Sequence, residues 1–310
     1  MNGFSSIWKS SGDSEAMQSA GKPAKDYKWI GERRYHEANP KYLFPSDDAE
    51  VNRQRKDHFI TRNFLAPIRN PLEANIRVLD VGCGAGTWTI EMAKEFPESN
   101  FLGMDIAQYH PTSFLPRNVM FKQANTLTGL PCLDNSIDYV FQRAAAFCFT
   151  DKEWAKVINE LARVTKPGGW IELVEYEYVF PNPCTRLAEY LNKLKMALGV
   201  RGIHTEFFPT HMPEILQGPE FRNITYNSFK TPLGGSTKLG KESLKSFELA
   251  LTSMSPRMCA VMGVRSEELD NMIVEMLKEY VESEATMKIH VVYGMKPMIV
   301  KIPGSSTKSA

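Results

Sequence analysis

Apolar and polar positions alternate with three different rhythms along the chain. Residues 1 to 28 are rich in Ser, Gly, Ala and Lys without apolar periodicity, which predicts a flexible tail, and residues 303 to 310 read the same way. From Trp29 to about Asn70 a loop passes into a helix. Ser46 is placed to cap its free N–H groups, and Asp47, Asp48 and Glu50 sit where the dipole is positive. The apolar face of that helix, Val51, His58, Phe59 and Leu65, is thin, and the short basic runs "RRY" and "RQRK" around it read as solvated faces.

Residues 76 to 176 change the rhythm. Strand-like runs "IRVLDVG", "NFLGMDI", "VMFKQAN", "IDYVFQR" and "WIELVEY" alternate with helix-like runs at Thr87 to Phe96 and Asp151 to Thr165. The second of these opens on Thr150 with Glu153 three residues on, a capping box, and carries Trp154, Val157, Ile158, Leu161 and Val164 on one face. Such alternation predicts an α/β domain, a mostly parallel twisted sheet with helices on both faces. Beyond Tyr176 the pattern loosens: a helix within 181–200, a strand at 221–230, helices at Glu242 to Met262 and Glu267 to Tyr280, and a closing strand at 288–300. One domain with an insertion results: a helical lid at 29–75, a core at 76–180, and residues 181–302 shaping a substrate pocket, the insertion itself at about 181–220.

Composition narrows the class. With 310 residues, 43% hydrophobic, the chain buries a full-sized core. Lys plus Arg number 37 against 36 Asp plus Glu, so no global field draws in nucleic acid or an anionic membrane. Cys83, Cys132, Cys148, Cys184 and Cys259 never form a C-x-x-C pair, which predicts neither a disulfide framework nor a zinc site. No run of eighteen uncharged apolar residues is present, and a cytoplasmic or nuclear location is expected. Met254, Met258, Met262, Met272 and Met276 read as packing faces and not as metal ligands.

The chemistry concentrates in "RVLDVGCGAGTWTIEMAKEFPESNFLGMDI", where Gly82, Gly84 and Gly86 follow the first strand and Asp105 ends the second. A tight strand-to-helix turn explains the glycines without a ligand. Asp105 adds a ligand reading, because it stands near the offset of about 20 residues at which an acid accepts bonds from ribose hydroxyls. The spacing is G-x-G-x-G, with Asp80 just ahead. A pyrophosphate would be repelled by Asp80, whereas an ammonium and a sulfonium would be welcomed, the charge pattern of S-adenosylmethionine.

Taken together, "VLDVGCGAG", "GMDI", "ANT", "LPCLDNSIDYVFQR" and "LARVTKPGGWIELVEYE" resemble the class I S-adenosylmethionine-dependent methyltransferases over residues 76 to 178. "RRYHEANPKYLFPSDDAEVNRQRKDHF" and "VVYGMKP" further resemble the fungal secondary-metabolism-regulator methyltransferases of the velvet-complex type. The resemblance implies a Rossmann-like class I fold with an N-terminal helical segment and a helical insertion. It implies that Gly82, Gly84 and Gly86 wrap the methionine moiety, with Cys83 inside the turn, that Asp105 binds the ribose, and that Asp80 orients the amino group. Asn125 stands where relatives place an aspartate facing the adenine amino group, and its amide oxygen accepts the same bond. Ile106 and Thr126 border adenine or ribose, core packing being the equal alternative for Ile106. Gln142 and Arg143 end the fourth strand where donor and acceptor meet, which implies a cofactor contact for Gln142 and a substrate contact for Arg143; a salt bridge at the sheet edge is the other reading of Arg143. "FQRAAAF" lacks the Pro-Pro run of many base-methylating relatives, which argues against a nucleobase acceptor.

Methyl transfer needs alignment more than a catalytic dyad. The candidate bases are His36, Glu175, Tyr176, His204 and His211, and Tyr35 and Tyr42 are either lid residues over the pocket or aromatic anchors. Two functions follow from the resemblance: a methyltransferase acting on a small apolar metabolite or a protein side chain, or a regulator that keeps the fold mainly to bind protein partners. A nicotinamide-dependent oxidoreductase is a remote third, disfavoured by the glycine spacing.

Overall fold

A computed structural model describes residues 27–61, 64–218, 220–281 and 285–298. The expected tails lie outside these residues, except that Tyr27 and Lys28 belong to a strand. That strand, β1 (Tyr27–Ile30), pairs antiparallel with β2 (Arg33–His36), a hairpin where a loop was expected. Aromatic and cationic side chains hold it: Tyr27 meets the edge of His36 at 4.9 Å, and Arg34 lies 4.7 Å from the Tyr27 ring centroid.

Helix α1 (Asp48–Ile60) follows, capped by Asp47 and not by Ser46. The Asp47 carboxylate accepts the Glu50 N–H at 3.1 Å while Arg33 holds it at 2.6 Å. The short α2 (Arg69–Glu73) leads into the core.

The core reads β3 (Arg77–Val81), α3 (Thr87–Glu95), β4 (Asn100–Asp105), β5 (Val119–Gln123), β6 (Ile137–Arg143), α4 (Asp151–Val164) and β7 (Thr165–Val179). The chain continues through α5 (Thr185–Gly199), α6 (Phe207–His211), β8 (Arg222–Pro232), α7 (Lys238–Met262), α8 (Ser266–Lys278) and β9 (Thr286–Met295). Seven strands make one sheet in the order β5-β4-β3-β6-β7-β9-β8, parallel from β5 to β7, with β9 antiparallel to both neighbours. After β3 the chain builds outward through β4 and β5, then returns to the other side of β3 with β6. That reversal opens a crevice at the carboxyl ends of β3 and β6, where sheets of this kind bind ligands.

Successive strand residues face opposite sides. Leu79, Val140 and Ile171 pack with Trp154, Val157 and Leu161 of α4 on one face, while Val78, Tyr139 and Phe141 pack with Trp88 and Met92 of α3 on the other. The expected capping box at Thr150 and Glu153 is present. A separate helical layer from α5, α7 and α8 buries Met254, Met258 and Met276, as their spacing suggests. Among the described residues no cluster of metal-ligating side chains occurs, the five cysteines form no disulfide, and no helix is long and apolar enough to cross a membrane.

Candidate active site

A cavity of about 740 Å³ opens at the carboxyl ends of β3, β4, β6 and β7, a size that suits a cofactor with a small partner. Its floor is the glycine turn. Gly82 and Cys83 donate their N–H groups to the Met104 carbonyl at 2.7 and 3.0 Å, tying the turn to β4. Gly84 has φ +51°, and a Cβ there would stand 2.3 Å from the Gln54 Oε1. Gly86 starts α3 at φ +69°, and a Cβ there would strike the Phe121 ring at 2.4 Å. Gly86 is therefore required by packing against β5.

Asp105 ends β4 beside this turn. Its Oδ2 accepts the Gly84 N–H and its Oδ1 the Ala107 N–H, both at 2.9 Å. Burial raises its pKa, and these backbone donors oppose the rise. Asp80, buried at the end of β3, accepts the Thr89 hydroxyl at 2.6 Å. Burial pushes its carboxyl up to about 6, although Thr89 and Arg143 pull the other way.

Ile106, Asn125 and Thr126 line the same side of the cavity. Asn125 uses its Oδ1 to cap a short turn, accepting the Leu127 N–H at 2.9 Å, so one lone pair of that oxygen remains for a ligand. Cys83 lines the cavity too, and burial lifts its thiol well above the usual range, which makes it unreactive.

Gln142 and Arg143 close β6 and both line the cavity. Gln142 is 1% exposed, and its Oε1 has no hydrogen-bond partner among the described residues. Arg143 makes no ion pair within the described residues, and β6 is interior, so the expected salt bridge at a sheet edge is absent. The guanidinium instead reaches across to α1, donating to the Thr61 carbonyl at 3.1 Å and meeting His58 Nδ1 at 3.2 Å.

Helix α1 roofs the site by polar contacts. The Arg53 Nε and Nη2 donate to buried Glu50 at 2.8 and 2.6 Å, its Nη1 holds Asp57, and Ser246 of α7 donates to the same Asp57. Gln54 donates to Glu50 at 3.3 Å and accepts the Ala85 N–H at 3.1 Å, touching the glycine turn from above. The "RQRK" run is thus split: Arg53 and Gln54 turn inward, and only Arg55 and Lys56 are exposed. "RRY" is not a solvated face either, since Arg33 pairs with Asp47 and Tyr35 is buried.

Of the candidate bases, His36, Glu175 and Tyr176 line the cavity, as does Tyr42. His36 accepts the Ala38 N–H through Nδ1 at 3.1 Å, and Tyr176 donates to Thr61 Oγ1 at 2.9 Å. Glu175 is buried, and burial pushes its carboxyl up to about 8. His204 and His211 do not line the cavity. His204 is exposed and pairs with Asp151 at 2.6 Å, and His211 stacks on Phe207 and meets its own helix's carbonyl at 2.9 Å. Tyr35 is an anchor, not a cavity residue: it lies buried with the Arg257 guanidinium 4.2 Å above its ring.

The sequence patterns did not mark Gln54, His58, Trp88 and Tyr109, which also line the cavity, nor its apolar wall of Phe147, Leu194, Phe208, Phe247 and Met254. Trp88 carries a weak signal, two residues after the last glycine of the turn in α3, and stacks on Phe141 at 3.9 Å.

Comparison with known proteins agrees with this geometry. Residues 78–169 match the family described as "Methyltransferase domain". The N-methyltransferase verN of Clonostachys rogersoniana is 27% identical over 248 residues, covering 74% of this chain and 84% of that protein. The methyltransferase pytC of Aspergillus terreus is 28% identical over 226 residues, 68% of this chain and 67% of that one. The secondary metabolism regulator laeA of Coprinopsis cinerea is 30% identical over 146 residues, 44% of this chain and 36% of the regulator. The glycine turn lies at the reversal point of a mostly parallel sheet, inside the matched region, and the chain carries a methyltransferase domain.

Proposed function

We propose that this methyltransferase acts on a small, largely apolar metabolite, held in the same cavity as S-adenosylmethionine. The carrying observation is continuity: one cavity joins the glycine turn, Asp80 and Asp105 to a wall of Phe147, Leu194, Phe208, Phe247 and Met254. The residues present fit the cofactor. Asp80 is a buried carboxylate in need of a cation, and Asp105 keeps acceptor capacity beyond its two backbone donors.

In this reading Asp80 orients the ammonium, Asp105 accepts from the ribose, and Asn125, Thr126 and Ile106 border the adenine. When bound, the cofactor supplies a methyl group already activated by its sulfonium. The chain's share of the work is alignment and exclusion of water: α1 covers the turn, residues 29–75 form the lid, and the elements after 181 shape the acceptor chamber. Both methyltransferase relatives extend over about two thirds or more of this chain, whereas the regulator similarity extends over 44%. That favours turnover over a purely regulatory role with protein partners. Five cysteines outside any disulfide suit a reducing compartment, cytoplasmic or nuclear.

Calorimetric titration with S-adenosylmethionine, S-adenosylhomocysteine and NADH tests the cofactor site. Binding of the two sulfur nucleosides alone is expected, and the reading fails if NADH binds in their place. A labelled-methyl screen of small metabolites against protein extracts then tests the acceptor, and label appearing only in protein would overturn the small-molecule reading.

A further inference from the structure

The acceptor side of the cavity holds one buried carboxylate with no counter-charge. Glu175 is 2% exposed near the end of β7, and its Oε1 accepts the Ala145 N–H at 2.7 Å, with the Ala146 N–H as a second backbone donor. No Lys, Arg or His among the described residues forms an ion pair with it. Three cations of the cavity wall are already paired: Lys41 with Glu153, Lys195 with Glu206, and Arg53 with Glu50 and Asp57.

The groups around Glu175 are committed elsewhere. His290 stands opposite it on β9, but its ring is shared between Glu177 at 3.1 Å and the Tyr226 hydroxyl at 2.7 Å, and Lys288 also binds Glu177. Tyr176 points to the opposite face and bonds Thr61, and Cys148, in the loop after β6, is a neutral thiol raised by burial. The charges of Asp80 and Arg143 lie on the other face of the sheet, and Asp105 is bound to the glycine turn.

Gln142 supplies a second, independent sign of a ligand. It pairs in register with Leu173, two residues before Glu175, so both side chains leave the sheet on one face. Its buried Oε1 lacks a donor, and both residues line the cavity. An orphaned amide oxygen and an unpaired carboxylate on one face of the sheet, in a cavity that Phe147 and Phe208 also line, are the complement of a cationic N–H donor on an apolar body.

We infer that the methyl acceptor is a hydrophobic primary or secondary amine, its protonated nitrogen held by Glu175 and Gln142, with Glu175 taking the proton that the nitrogen sheds before attack. The ammonium gives one proton to the Glu175 carboxylate. The freed lone pair forms the new N–C bond as the C–S bond breaks, and that bond's electrons stay on sulfur. The product leaves as an N-methylated ammonium with the thioether, and Glu175 returns its proton to water. The inference rests on the cofactor reading above.

A purely structural role, anchoring the turn at Ala145 and Ala146, is separable because Glu175→Gln keeps an oxygen for those N–H groups and removes the charge. The full chain saturated with S-adenosylhomocysteine is titrated near pH 8, the value to which burial pushes Glu175. The ligands are 2-phenylethylamine and hexylamine, each against the matching alcohol. The amines are expected to bind roughly tenfold tighter than the alcohols, and E175Q to erase that preference while S-adenosylhomocysteine affinity stays unchanged. Equal binding of amine and alcohol, binding of neither, or a preference that survives in E175Q overturns the inference with the cofactor site intact. A wild-type chain that does not bind S-adenosylhomocysteine overturns the cofactor reading first, and this one with it.

Discussion

The glycine turn and the α1 lid meet at Gln54, yet they are built by opposite means. The turn is held through its own main-chain N–H groups, Gly82 and Cys83 donating to the Met104 carbonyl and Gly84 to the Asp105 carboxylate, over a floor of Trp88 stacked on Phe141. The lid is held by charge: Glu50 is fully buried beside Arg53 and Asp57, and Phe59 of the same helix is 67% exposed. A site made from backbone geometry leaves its trace in residue spacing. One made from side-chain ion pairs across distant elements does not.

The largest expected effect strikes the lid. Arg53→Ala strands the buried Glu50 charge and is expected to cost about 3–5 kcal/mol of stability, read by thermal or urea unfolding. An unchanged melting curve would mean that apolar contacts hold α1 after all. On the turn, Gly84→Val places a branched side chain at φ +51° against Gln54. Cofactor affinity is expected to fall by about 100-fold with far-ultraviolet circular dichroism unchanged. Retained binding would place the ligand away from the turn.

Asp105→Ala is expected to weaken S-adenosylmethionine by about 1–3 kcal/mol in calorimetry. Because the carboxylate also carries the Gly84 and Ala107 N–H groups, Asp105→Asn, which keeps one acceptor, is expected to fall between wild type and alanine. The mildest test is a pH series. Asp80 is raised by burial from 3.8 to about 6, so it is neutral below that value and charged above it. Affinity for the cofactor's ammonium should be full above pH 6 and fall by up to about tenfold per unit below it, a dependence that Asp80→Asn removes. The ligand-free protein shows the reverse sign. The folded state holds this proton more tightly than the unfolded chain, so Asp80's share of stability is lost as pH rises from 3.8 to about 6.

Legibility in the sequence followed the same division. The run "IDYVFQR" coincides with β6, and Thr150 with Glu153 caps α4 as its spacing requires, because period-two and period-3.6 patterns register burial against a sheet. The β1–β2 hairpin escaped notice because cross-strand ring and guanidinium contacts, not alternation, hold it. Asp47 displaced Ser46 as the cap of α1 because Arg33, fourteen residues earlier, pins its carboxylate. Within the site, Asp80, Gly84, Asp105 and Gln142 stood out by their place at strand ends. His204 and His211 look equally good in the sequence, and only the path of α5 and α6 turns them away from the cavity. Gln54 gave no signal at all: a glutamine in a polar helix acquires meaning only when the glycine turn, thirty-one residues on, arrives beneath it.

That single helix also joins the two walls of the cavity. Through Gln54 it rests on the glycine turn, and through Asp57 it is tied to Ser246 in α7, whose Phe247 and Met254 line the apolar wall. A change that shifts α1 therefore loosens the anchorage of both walls at once.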